Sequence, residues 1–157
     1  MIRHFLFVAA FTVSTPAFCD GLVFHLQSHH KDGNHDVTET WVDKDNTSHT
    51  KTHYALNNNN YGIGYKTDNG YSIGIYKNSF YKTSAYAGKE FMYNRYLGGF
   101  VGIASGYKEE SGKAFIPFVS GTVKIPIDNK YGLMFNVIPA KDFKDYVVIN
   151  MALERKF

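Results

Sequence analysis

The spacing of its turns constrains this chain more than any other feature. From Gly21 onward apolar and polar residues alternate in short runs, and the breaks between runs are of two kinds. Three are tight: Thr67-Asp68-Asn69-Gly70, Tyr93-Asn94-Arg95-Tyr96 and Ile127-Asp128-Asn129-Lys130. Asp, Asn and Gly accept the backbone conformations that hairpin turns demand. The others are longer or more charged: His30 to Asn59, Asn78 to Lys82, Tyr107 to Lys113 and Ala140 to Lys144. A period of two sends successive side chains to opposite faces of a strand. The pattern therefore predicts strands at about 21–30, 60–67, 71–78, 83–94, 97–107, 114–125, 130–139 and 145–157, and no segment carries a helical period. Short turns at one end and longer loops at the other mark an all-β, eight-stranded antiparallel up-and-down barrel of the transmembrane, outer-membrane type.

The strand faces carry the same message. In 145–157, Val147, Ile149, Met151 and Leu153 share one face, and Asn150, Ala152 and Glu154 the other. In 130–139, Tyr131, Leu133, Phe135 and Val137 oppose Gly132, Met134 and Asn136; in 71–77, Tyr71, Ile73 and Ile75 oppose Ser72, Gly74 and Tyr76. One face would meet lipid, and the other would fill a narrow interior with small and polar groups. A soluble secreted barrel would reverse the two. Residues 1–19 favour the membrane: a basic start at Met1–His4, an apolar stretch at Phe5–Val13 and a turn-prone exit at Ser14–Cys19. They read as a secretory signal peptide cut after Ala17 or Cys19, since the apolar stretch is far shorter than the roughly 20 residues of a spanning helix. Tyr and Phe recur near strand ends, as in an aromatic girdle, and the chain ends on Phe157.

Residues 20–157 are then a single barrel domain in the cell outer membrane, with a long first external loop at about 31–59. A net charge of +3, spread along the chain, leaves no nucleic-acid footprint. The single Cys19 lies in the leader, so neither a disulfide framework nor thiol chemistry is expected. We expect a monomer without cofactors, whose partners are membrane lipids.

With the strands laid out, "YKNSFYKTSAYAG" (Tyr76–Gly88) resembles the second-loop region of the lipid A palmitoyltransferases (PagP family), where an Asp-Ser pair ends the third strand. "LGGFVGIASGY", "FIPFVSGTVKIPIDNKYGLMFNVIPAKDF", "VVINMALERKF" and the Asn-rich "NNNNYGIGYKTDNGYSIGIYKNS" are similar to that family's later strands, so the likeness runs from about Asn57 to Phe157 as a divergent member. The resemblance implies an eight-stranded barrel that moves an acyl chain from phospholipid to lipid A. It implies a catalytic Ser at Ser79, with Asn78 in the place of the family's Asp, and a His from the end of the first strand. His25, His29 and His30 are the candidates; His29 is favoured, because it lies on the loop side and follows Ser28. Pro117 and Pro139 match the prolines that open lateral gaps for lipid. Proline removes a ladder hydrogen bond, which gives such gaps a physical basis. A Ser beside a His can act as a nucleophile, or the His can deprotonate an incoming hydroxyl.

The chain departs from that family at several points. Asn78 can orient a His but brings no charge to an imidazolium; Glu109, Glu110, Asp142 and Asp145 are carboxylates that other loops offer instead. Glu90 falls at the bottom of the family's acyl pocket, where a lone carboxylate is costly. No amphipathic helix precedes the first strand. Six of the seven His fall between His25 and His53, and His29, His30, His35, His49 and His53 are potential ligands; their spacing matches no closed zinc motif, so no metal is expected. "DVTETWV" and "TSHTKTHYAL" alternate well enough to extend the first two strands as a hairpin above the membrane. Outer-membrane lipid A deacylases need a His-x-Ser sequence, which is absent. The competing expectation is a non-catalytic barrel of the same architecture, a surface interaction or envelope-modifying protein in which Asn78-Ser79 is only a turn.

Overall fold

A computed structural model describes residues 20–30, 36–53, 55–139 and 147–157. The expected signal peptide, His35, Asp142 and Asp145 lie outside the described residues. The strands are β1 (Gly21–His30), β2 (Val37–Val42), β3 (Ser48–His53), β4 (Gly62–Lys66), β5 (Tyr71–Lys77), β6 (Thr83–Met92), β7 (Leu97–Ser105), β8 (Phe115–Pro126), β9 (Tyr131–Ile138) and β10 (Val148–Lys156). Eight of them close into a barrel in the order β1-β4-β5-β6-β7-β8-β9-β10, with every neighbouring pair antiparallel. All eight strands expected from the alternation are present, within a few residues of the expected bounds. A single helical turn, α1 (Lys108–Ser111), adds the one helix among the described residues and ends at Gly112 in the left-handed conformation.

The tight turns sit where Asp, Asn and Gly were read. At the β4–β5 turn, Gly70 takes φ 82° and its amide donates to the Thr67 carbonyl at 2.9 Å. A side chain there would enter a region that only glycine occupies cheaply. The expected hairpin is present as β2 paired with β3, but it does not prolong β1 and β4. It forms a two-stranded sheet of its own, because the β1–β4 ladder stops at the His25–Gly62 pair.

The outward faces are apolar. Ile73 and Ile75 on β5, Val101 and Ile103 on β7, and Val119 and Ile125 on β8 all stand exposed. Tyr71, Phe91, Tyr93, Tyr96 and Tyr131 ring the short-turn end, also exposed. The buried interior is mostly polar, with Ser72, Ser84, Ser120, Thr122, Lys66, Glu90 and Glu154 beside a small apolar cluster of Val23, Met134 and Ala152. A soluble barrel would instead turn most of its apolar groups inward, away from water.

The interior has two features that shape the site. Near the short-turn end Lys66, Lys124, Glu90 and Glu154 form a closed ionic square. Lys66 Nζ lies 3.1 Å from Glu90 and also pairs with Glu154; Lys124 Nζ lies 2.6 Å from Glu90 and 3.0 Å from Glu154. Two positive and two negative charges cancel, which removes the cost expected of a lone buried Glu90. Higher up, the Tyr86 ring crosses the barrel over Gly64, where an added Cβ would come within 2.2 Å of the Tyr86 hydroxyl. The second feature is a β-bulge between His25 and Gln27 in the β1–β10 ladder. Below it Val23 and His25 face inward, and above it Ser28 and His30 do.

Candidate functional site

Ser79 lies in the loop after β5, at the crest that the sequence singled out. Its Oγ is 2.7 Å from His30 Nε2, and the Nδ1 of the same ring is 2.8 Å from Asn58 Oδ1. His30 is buried at 8 % exposure. Both Ser79 and His30 line the mouth of an interior cavity of about 430 Å³, with Leu56, Phe80 and Ile116 on its walls and Lys66 and Glu90 at its depth. That volume lies within the roughly 300–1,000 Å³ of small-molecule sites.

His30, not His29, is the histidine that meets Ser79. Continuing the inward positions Val23 and His25 by twos would have turned His29 inward. The bulge inserts one residue, so the parity changes and His30 takes the inward face, while His29 is exposed. A one-residue slip in a strand exchanges its faces. His25 is also internal, but deeper: its Nε2 lies 3.1 Å from the Tyr86 hydroxyl.

The run Asn57–Asn60 holds this geometry together. The Asn57 amide donates to the Ser79 carbonyl at 2.8 Å, and Asn57 Nδ2 donates to the Asn78 carbonyl at 3.0 Å. Asn60 Nδ2 donates to the Lys77 carbonyl at 2.8 Å, and Asn60 Oδ1 accepts from the Ser28 hydroxyl. The Ser28 amide donates to the Asn58 carbonyl at 2.8 Å. The four-residue run thus ties the end of β1 to the crest, fixing two segments 49 positions apart. From the sequence alone the run reads only as the approach to the second strand. Its polar amides in an otherwise alternating chain were the available signal, but nothing in their spacing pointed to His30.

Asn78 does not orient the histidine. It is fully buried, with Oδ1 accepting from the Phe80 and Lys82 amides at 2.9 Å each. Its Nδ2 donates to Ser84 Oγ at 3.0 Å and to the Gly106 carbonyl at 2.9 Å. Four hydrogen bonds saturate the amide, so the expected His partner is instead the pin of the turn. Gly106 has φ 85°, and an added Cβ would come within 2.4 Å of Ser84 Oγ, so this contact needs glycine. Glu109 and Glu110 do not supply the missing carboxylate either: they grip Lys82 at 2.7 and 2.9 Å. Burial tends to lower the Lys82 pKa, but these two carboxylates outweigh it and raise it.

Pro117 and Pro139 both line the cavity wall. The β7–β8 ladder runs the whole length from Leu97–Val123 to Ser105–Phe115, whereas β8 pairs with β9 only from Gly121–Val137 downward. Among the described residues, the β8–β9 ladder therefore stops short of Pro139, with Val119 and Ser120 unpaired to Pro139 and Ile138. The flap meets the crest on the opposite flank. Glu39 accepts from Lys77 at 3.1 Å and lies 3.0 Å from His53 Nε2, and the His53 ring stacks on Tyr81 at 3.6 Å. Burial pushes the Glu39 carboxyl up, but these hydrogen bonds outweigh it and hold the group below its ordinary range. Of the other proposed ligands, His49 stacks on Trp41, and no three His, Cys, Asp or Glu among the described residues converge on a common point.

Compared with family models, with curated proteins and with solved structures, the chain shows no significant match.

Proposed function

We propose that this chain is an outer-membrane barrel that transfers an acyl chain from a phospholipid to an acceptor hydroxyl, lipid A being the acceptor that the sequence resemblance suggests. The observation that carries the reading is the 2.7 Å contact of Ser79 Oγ with His30 Nε2 at the mouth of the interior cavity. The apolar outer face and the aromatic ring at the short-turn end support the membrane setting.

The step is acyl transfer through Ser79. Its Oγ attacks the donor's ester carbonyl as the proton passes to His30 Nε2. The C–O bond to the lysophospholipid then breaks, and its oxygen takes that proton from His30. The acceptor hydroxyl next gives its proton to His30 and attacks the acyl-Ser79 carbonyl. Ser79 Oγ leaves with the proton, and both residues return to their starting state. The end of the β8–β9 ladder short of Pro139, among the described residues, supports lateral arrival of lipid from the membrane side.

The test is the lipid A mass spectrum of cells with and without the protein. Added mass of one acyl chain in cells with wild-type protein, and none with Ser79→Ala, is the expected result. A spectrum that does not change with wild type overturns the reading. The second reading, a non-catalytic barrel, is favoured by Asn78, whose four turn hydrogen bonds make the crest a self-sufficient hairpin. Under that reading a fluorophosphonate leaves Ser79 unlabelled in the folded protein.

A further inference from the structure

We infer that Asn58 is the positioning residue of His30, the role the sequence assigned to Asn78; the inference deepens the acyl-transfer reading and rests on it. The Asn58 atom facing His30 is Oδ1, 2.8 Å from Nδ1. A carbonyl oxygen only accepts, so Nδ1 must carry the ring proton. Nε2 then presents its lone pair to the Ser79 hydroxyl at 2.7 Å, which is the form that can take a proton from Ser79. The opposite tautomer would place N–H against Ser79 and leave it without a base. An amide performs the same service in the Cys–His–Asn sites of papain-like proteases.

Asn58 has the anchoring this role needs. Its carbonyl accepts from the Ser28 amide, two residues before His30, so its backbone is registered to the strand that carries the ring. Its neighbours Asn57 and Asn60 are bonded to the crest that carries Ser79. One short segment therefore fixes the distance between base and nucleophile and also selects the tautomer. Being neutral, Asn58 orients the ring without stabilising an imidazolium, which distinguishes it from a carboxylate.

The experiment uses the full barrel in lipid nanodiscs, as wild type, Asn58→Ala and Asn58→Asp, with His30→Gln to assign the resonance. Imidazole nitrogen NMR reads the tautomer whether or not the protein turns over. Wild-type His30 should be protonated at Nδ1, and Asn58→Ala should give a mixture. In a phospholipid-to-lipid A transfer assay, Asn58→Ala should lower kcat by roughly 10²-fold, the lower end for a positioned proton-transfer group, with KM unchanged. Asn58→Asp should restore kcat and move the acidic limb of the kcat/KM profile to higher pH, because its charge stabilises the imidazolium. An unchanged tautomer in Asn58→Ala, or an Asp variant that neither restores kcat nor moves the limb, overturns the role of Asn58. A wild type without transfer activity overturns the acyl-transfer reading instead, and the tautomer measurement then decides Asn58 by itself.

Discussion

Asn78 and Asn58 hold different parts of the molecule, the turn at the crest and the His30 ring, and their substitutions should differ accordingly. Asn78 is a turn residue whose amide satisfies two backbone N–H groups, a hydroxyl and a carbonyl. Each buried polar group left without a partner costs about 1–3 kcal/mol, so Asn78→Ala should lower the unfolding midpoint in a denaturant titration. Asn78→Asp should also destabilise, since a carboxylate would face the Gly106 carbonyl where Nδ2 now donates. It should not raise activity, because Asn78 makes no contact with His30. Under the proposed acyl transfer, Ser79→Ala and His30→Ala should each lower activity by about 10²–10⁴-fold. His29→Ala should leave it near wild type, since that side chain faces away from Ser79. Full activity in His30→Ala, measured on folded protein, would move the base elsewhere.

Among the elements, the flap and the β8–β9 seam make separate predictions. The flap is held to the crest by Glu39, Lys77, His53 and Tyr81. Tyr81 takes φ 60°, a conformation that costs a bulky residue about 1–3 kcal/mol; its stacking on His53 and its hydroxyl bond to the Ala55 carbonyl act against that strain. Because Glu39 is held below its ordinary pKa, its contribution is complete above the unfolded value of about 4.3 and is lost as pH falls through the folded value. Trp41 on β2 is the only tryptophan, so its fluorescence reports the flap alone. The emission should change in acid below about pH 4.3, and Glu39→Gln should abolish that acid step. The seam is read by amide exchange. Val119 and Ser120 have ladder partners on β7 but pair with neither Pro139 nor Ile138 across the seam. Amides of β8 beside Pro117 and of β9 beside Pro139 should exchange faster than those of β10, which is paired on both sides. Equal protection throughout would count against a lateral opening.

The molecule as a whole is a barrel with an apolar exterior and a charged floor. In detergent the folded form should migrate differently on a gel from the boiled form, and recovery as a water-soluble monomer would overturn the membrane assignment. The floor makes a sharper prediction. Lys66, Lys124, Glu90 and Glu154 are neutral only as a set. Lys66→Met should destabilise the barrel by about 3–5 kcal/mol, since it strands carboxylates in the interior. Replacing all four with apolar residues of similar volume should recover most of that loss, because a paired buried charge returns little beyond its own desolvation. A quadruple variant less stable than Lys66→Met, in the same unfolding titration, would show that the square contributes more than neutrality.

The period of two and the turn chemistry were sufficient to read eight strands, their faces and the crest at Asn78-Ser79, because side-chain direction and turn conformation are local properties. The floor was half legible. Glu90 stood out as an improbable interior carboxylate, but its compensation by Lys66 and Lys124 comes from strands 24 and 34 positions away. The choice of His30 over His29 depended on one inserted residue at the bulge, which registers only against β10. The partner of that histidine depended on an asparagine 28 positions distant. Strand closure brings such residues together, and alternation along the chain carries no record of which strand, at which height, lies opposite. The sequence by itself therefore determined the barrel and its inner and outer faces. The tertiary structure decided which histidine turns inward and which amide holds it, since both follow from register across the closed sheet.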